Sequence, residues 1–157
     1  MEGSITMYKR ILVPTDGSES SRLAFSHAIK LAKISGAEIF LLHVTFTPQV
    51  YWGNNLAYGV TISDKELQEL GNSVIEATQK DLEADIKVTT IIVSGSPAQK
   101  ILKLVNDKKI DLVIMGSHGH GPFSGAFLGS VSQRVLAKAT CPVMVTKDLC
   151  RCEPREP

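Results

Sequence analysis

The chain has 157 residues, with 17 Lys and Arg against 16 Asp and Glu and a formal net charge of +1. That length fits a single domain with its own apolar core, and the near-neutral balance argues against nucleic acid as a partner, which calls for a basic excess. No apolar run approaches the roughly 20 residues that cross a bilayer, and the opening MEGSITMYKR lacks the apolar stretch of a secretory signal, so a cytoplasmic protein with no membrane partner is expected.

The first strand is expected at Ile11 to Val13, followed by the loop Pro14-Thr15-Asp16-Gly17-Ser18. A helix follows from about Ser21 to Ser35, with Ala24, Ala28, Leu31 and Ala32 on its buried face and Gly36 placed to stop it. Ile39 to Val44 reads as the second strand; His43, inside that run, reads as a hydrogen-bonded core residue.

From Phe46 to Ile62 the chain makes a long connection carrying Tyr51, Trp52 and Tyr58, either a lid or partner surface or a segment its aromatics anchor to the core. Ser63-Asp64-Lys65-Glu66 has the pattern of a capping box and opens a helix expected to bury Leu67, Leu70, Val74 and Ala77 and to end near Ala84.

Val88 to Val93 is the third strand. Ser96 then caps a helix with Pro97 at its first position, where a missing amide hydrogen costs nothing. That helix is expected to bury Ala98, Ile101, Leu102 and Val105 and to expose Lys100, Lys103 and Lys108. Leu112 to Met115 is the fourth strand. A helix from about Gly129-Ser130 is expected to bury Val131, Val135, Leu136 and Ala139 and to stop before Cys141-Pro142, with Val143 to Val145 as the fifth strand.

The strand runs are mostly continuously apolar, as strands covered on both faces must be. Strands alternating with helices imply right-handed crossovers and an α/β fold: a doubly wound, five-stranded, mostly parallel sheet with helices on both faces. The expected organisation is one domain over 1–157, with a core at about 9–147 and a tail at 148–157. Cys141, Cys150 and Cys152 lie too close to the end to staple a fold, and two tail thiols fall short of a zinc site.

In such a sheet ligands bind beyond the carboxyl ends of the strands, where the winding direction reverses. The loops after strands one and four stand out. The latter carries Gly116, Gly119, Gly121 and Gly125 before reaching Gly129. Glycines let backbone approach a ligand closely, and the following helix start favours an anion, so this is a way to hold a polyphosphate. His118 and His120 lack the spacing and place of an HxGH nucleotidyl-transfer motif and read as solvated loop residues.

The pattern Gly116-x2-Gly119-x9-Gly129-Ser130 resembles the nucleotide motif of the ATP-binding branch of the universal stress protein family. It is supported by Ile11 to Ser18, Leu42-His43-Val44, Gly95-Ser96-Pro97, Asp111 to Ser117, Gly129 to Ser132 and Cys141-Pro142-Val143. The resemblance runs from about Lys9 to Lys147 and implies a Rossmann-like fold of the adenine nucleotide alpha-hydrolase type. It also implies that Pro14, Thr15 and Asp16 lie along the adenosine, Val44 packs near adenine, and Met115 and Gly116 floor the pocket. Gly119, Gly129, Ser130, Val131 and Ser132 would surround the phosphates and ribose.

Asp16 would accept from ribose or help hold Mg through the phosphates; its plainer reading is a turn or helix-cap residue. Ser130 and Gln133 are spaced for a capping box. Unlike many relatives, this chain has no Lys or Arg between Gly119 and Gly129.

The implied function is a stress-response or signalling module that binds ATP or another adenine nucleotide and changes conformation or protein partner. It would be a homodimer through Val143, Met144 and Val145. The alternatives on the same scaffold are a slow ATPase or nucleotidyl-transfer enzyme, or a structural dimer that no longer binds ATP. No arginine finger or water-orienting residue stands in the loops, which argues against fast hydrolysis.

Overall fold

The computed structural model describes residues 7–46, 63–80, 85–119 and 128–147. Five strands, β1 (Arg10–Pro14), β2 (Glu38–Thr45), β3 (Val88–Ser94), β4 (Leu112–Gly116) and β5 (Val143–Thr146), alternate with four helices. The helices are α1 (Glu19–Ser35), α2 (Asp64–Gln79), α3 (Pro97–Asp107) and α4 (Ser130–Lys138). The sheet order is β3-β2-β1-β4-β5 and every pairing is parallel, as the continuous apolar runs required.

Alternate residues of each strand serve opposite faces. Ile11, Val13, Ile39, Leu41, Leu112 and Ile114 pack under α1, through Ala24, Phe25, Ala28 and Ala32, and under Ile75 of α2. Leu12, Phe40, Leu42, Val113 and Met115 pack under Ala98, Ile101 and Val105 of α3 and Val135 of α4. The chain thus winds outward from β1 to β3 and returns to the other side of β1 at β4. The β1–β2 ladder runs for five residue pairs, but β1 and β4 pair only at Ile11↔Leu112 and Leu12↔Val113. Beyond that point the loops after β1 and β4 face each other at the place where the winding reverses.

Local signals set the helix ends. Ser18 caps α1 by accepting from Ser21 N, and Gly36 ends the helix with φ 71°, a conformation that suits glycine. Ser63 and Glu66 form the expected capping box of α2, and the two hydrogen bonds from Ser63 hold the Glu66 carboxyl below its usual pKa.

Three helix faces differ from expectation. α2 buries Leu67, Gly71, Ile75 and Thr78, while Leu70 is 56% exposed, Val74 half-buried and Ala77 exposed. The reason is Gly71: a Cβ there would stand 2.6 Å from Ile92 Cγ2, so the bare backbone lets the helix seat closely on the sheet. A stripe chosen by hydrophobicity favours Leu and Val over the Gly and Thr that actually face inward. In α4, Leu136 is 49% exposed rather than buried, and Val135 carries the contact. On α3, Leu102 and Lys100 are both half-buried, and the Lys100 stem lies over Gly95.

The helix α2 ends at Gln79, short of Ala84, which lies outside the described residues. Cys141 is a half-buried free thiol whose pKa burial pushes up. Cys150 and Cys152, and the connection at 47–62 with its aromatics, also lie outside the described residues. Among the described residues, no helix is long and apolar enough to cross a membrane.

Candidate functional site

A cleft of about 160 Å³ opens between the loops after β1 and β4. Of the residues expected there, Pro14, Thr15, Asp16, Val44, Met115, Gly116, Gly119, Val131 and Ser132 line it; Gly129 and Ser130 do not. The α4 cap explains this. Gly129 is itself the N-cap residue, and its N–H donates to Ser117 O at 2.8 Å, which directs it toward the backbone behind the cleft. Ser130 is the first helical residue, so no capping box forms with Gln133, whose side-chain amide donates to Leu128 O instead.

The loop after β1 is braced from all sides. Thr15 N–H donates to Leu42 O at 2.8 Å, and His43 Nδ1 lies 2.9 Å from Thr15 O and must carry the hydrogen, since a carbonyl can only accept. The hydrogen bond read for His43 from sequence is present, but the residue is half-buried rather than part of the core. Gly17 takes φ 79°, which turns the chain back into α1. Asp16 Oδ1 accepts from Ser18 N at 3.0 Å, so the turn reading of Asp16 describes one oxygen. A Cβ on Gly119 would overlap the other oxygen, so the two loops approach closely there.

The loop after β4 is held by α1, α4 and β5. Ser117 N–H donates to Ser20 Oγ at 3.0 Å and to Thr146 O at 2.9 Å. Ser132 Oγ donates to Gly116 O at 2.9 Å. Ser132 therefore borders the cleft with its hydroxyl hydrogen engaged by the backbone.

The glycines here serve space more than conformation. Gly116, Gly119 and Gly129 are not among the residues with positive φ; Gly129 has φ −63°. A Cβ on Gly116 would overlap Ser20 Oγ and stand 2.8 Å from the Ser20 carbonyl carbon, whereas one on Gly129 would meet Ser117 O at 3.3 Å.

Five lining residues were not singled out from sequence: Ser21, Leu42, Pro97, Ile101 and His118. Leu42 lies two residues before Val44 on the same strand face, and Pro97 and Ile101 lie four apart on α3, so periodicity offered a signal for these three. His118 differs from its reading as a solvated residue. It is half-buried, its Nδ1 lies 2.8 Å from Ser117 Oγ, and its Nε2 is buried without a hydrogen-bond partner. His120 lies outside the described residues.

Among the described residues, no three His, Cys, Asp or Glu side chains gather to hold a metal ion. Asp16 is the carboxylate of the cleft lining, a donor set that suits a hard cation such as Mg arriving on phosphates rather than one held by the protein alone.

Comparison with known proteins agrees with this architecture. Universal stress protein MJ0577 of Methanocaldococcus jannaschii is 35% identical over 155 residues, covering 90% of this chain and 96% of that protein. Its solved structure superposes with a TM-score of 0.74 over 90% of this chain and 97% of that one. A universal stress protein family protein from Arabidopsis thaliana with AMP bound is 22% identical, with a TM-score of 0.62, covering 94% of this chain and 97% of that one. A universal stress protein in complex with cAMP is 21% identical, with a TM-score of 0.62, covering 89% of this chain and 97% of that one. The model of the universal stress protein family matches residues 7–147, from before β1 to the end of β5, and the chain belongs to that family.

Proposed function

We propose that the cleft binds an adenine nucleotide, ATP with Mg in the first place, and that the chain is a stress-response or signalling module whose conformation or protein partner follows occupancy. The observation that carries this is the cleft itself. At the point where the winding reverses, it brings together nine of the residues that the nucleotide motif implies. Val44, Leu42, Ile101 and Met115 offer an apolar slot for a base, and Asp16 offers a carboxylate for ribose hydroxyls or for Mg on the phosphates. The AMP and cAMP held by two structural relatives support the ligand class.

The lining includes no Lys or Arg, so triphosphate charge falls to backbone amides, the start of α4 and the cation the ligand brings. Fast turnover is not expected, because the loops after β1 and β4 carry no arginine finger. β5 is an edge strand with Met144 38% exposed, which suits pairing with a second copy in a homodimer.

Calorimetric titration with ATP, AMP and cAMP, with and without Mg, tests the reading. Saturable binding of ATP that strengthens with Mg and weakens in Asp16→Ala is the expected result. A protein that takes up none of the three nucleotides would not be a nucleotide module. Sedimentation as a monomer at micromolar concentration would remove the dimer.

A further inference from the structure

Thr78 lies near the end of α2, 5% exposed and outside the cleft lining. Its hydroxyl donates to Val74 O at 2.8 Å, and its oxygen lies 2.8 Å from Thr15 Oγ1. A hydroxyl has one hydrogen, and that of Thr78 already points at Val74 O, so Thr15 is the donor in the Thr15–Thr78 pair. Thr15 Oγ1 meanwhile accepts from Gly17 N at 3.1 Å and neighbours Ser21 Oγ at 3.1 Å. The Thr15 hydroxyl hydrogen is therefore aimed at α2, away from the cleft that Thr15 lines.

The other partners of Thr15 belong to β2, to its own loop and to the start of α1: Leu42 O, His43 Nδ1, Gly17 N and Ser21 Oγ. Thr78 alone of these partners comes from α2. That helix buries Leu67, Gly71 and Ile75 against the sheet, and the Thr78 hydroxyl adds a polar bond near its end.

We propose that Thr78 is a positioning residue for the cleft: through its hydroxyl, α2 orients Thr15, so that cleft occupancy and the seating of α2 are linked. A ligand packed against Pro14, Thr15 and Asp16 restrains the donor that Thr78 needs, and a seated α2 in turn delivers Thr15 already oriented. Such linkage is reciprocal. It names α2 as an element whose state follows occupancy, and it rests on the cleft binding an adenine nucleotide.

The test compares wild type with Thr78→Val, which keeps the shape and removes the acceptor, and Thr78→Ser, which keeps the acceptor. ATP with Mg is titrated by calorimetry, and amide hydrogen exchange over residues 75–79 is followed with and without it. Thr78→Val is expected to weaken binding about three- to tenfold, the effect of losing one buried hydrogen bond. Thr78→Ser should stay within about twofold of wild type. ATP should slow exchange in wild type and Thr78→Ser but not in Thr78→Val. If Thr78→Val does not fold, Thr78→Cys, a poor acceptor of similar size, takes its place with the same expected loss. Unchanged or tighter binding by Thr78→Val, equal weakening in Thr78→Ser, or equal slowing of exchange in all three overturns the proposal. A wild type that binds no nucleotide overturns the nucleotide reading itself, a result distinct from wild-type binding that Thr78→Val leaves intact.

Discussion

At the amino ends of the strands the rim is closed by charge. Asp111 accepts from Lys9 N at 2.8 Å and Arg10 N at 3.2 Å, Arg10 Nη1 donates to Lys108 O at 2.9 Å, and Glu38 pairs with Lys87 at 3.1 Å. At the carboxyl ends the same sheet finishes mainly in small neutral groups, Thr15, Ser20, Ser21, Ser117, Ser132 and Thr146, interleaved with Gly116 and Gly119 and joined by Asp16 and His118 of the cleft. Ion pairs and capped amides suit a rim that only has to close. Hydroxyls and bare Cα atoms suit one that must leave room for a ligand while still satisfying its own backbone. Substitutions at the carboxyl rim should therefore register in binding, and those at the amino rim in stability.

Gly116 offers the largest expected effect, because there the two consequences coincide. The atoms a side chain would meet include the Ser20 backbone, which cannot step aside, so Gly116→Val should cost about 3 kcal/mol and abolish binding. Urea unfolding and nucleotide titration read the two losses separately. Gly119→Val separates them: the overlapped atom is the end of the Asp16 side chain, which can swing away. Stability should stay within about 1 kcal/mol while binding falls strongly, because the displaced carboxylate and the new side chain both enter the cleft. Equal destabilisation by the two variants would break the contrast between a backbone and a side-chain obstacle.

Sequence patterns carried most of the fold because burial dictated them. Strands covered on both faces need largely apolar runs, and all five strands were visible, although Thr89 and Thr90 interrupt the run of β3. The faces of α2 and α4 were less legible. Gly71 and Thr78 face inward for reasons of clearance and hydrogen bonding that hydrophobicity does not register, and Leu70 and Leu136 are exposed in spite of it. Within the cleft, the glycine spacing brought Gly116 and Gly119 to the lining but not Gly129, whose amide is taken by Ser117 O. His118 was unreadable because its burial depends on how it packs beside Ser117 at the cleft, which the spacing of glycines does not encode.

The amino rim supplies the converse test. Asp111→Ala removes the carboxylate that accepts from two backbone amides, and should lower stability by about 1–2 kcal/mol. Nucleotide affinity should remain within about twofold of wild type, because the site lies at the other end of the strands. A thermal melt and a titration on the same sample check both. A large affinity loss with little change in stability would show that the two ends are not independent.

The smallest expected effect belongs to Glu38. The hydrogen bond from Thr89 Oγ1 at 2.8 Å, and then the hydrogen bond and charge of Lys87, hold its carboxyl below the usual range against an opposing contribution from desolvation. Because its pKa is lower folded than unfolded, the unfolded chain binds this proton first as the pH falls. The stabilisation is thus fully present above the ordinary carboxylate value and is lost as the pH drops through the lowered one. Glu66 is lowered in the same direction by its capping box and contributes to the same acid window. Glu38→Gln should therefore flatten only part of the acid slope of stability, by less than about 1 kcal/mol for a pair as accessible as this one. Urea midpoints measured from about pH 6 to pH 3 would show it. Convergence of the wild-type and Glu38→Gln curves toward low pH is the expected signature, since protonation erases the difference between the two side chains. Parallel curves at every pH would mean that the ion pair on the amino rim contributes nothing through its charge.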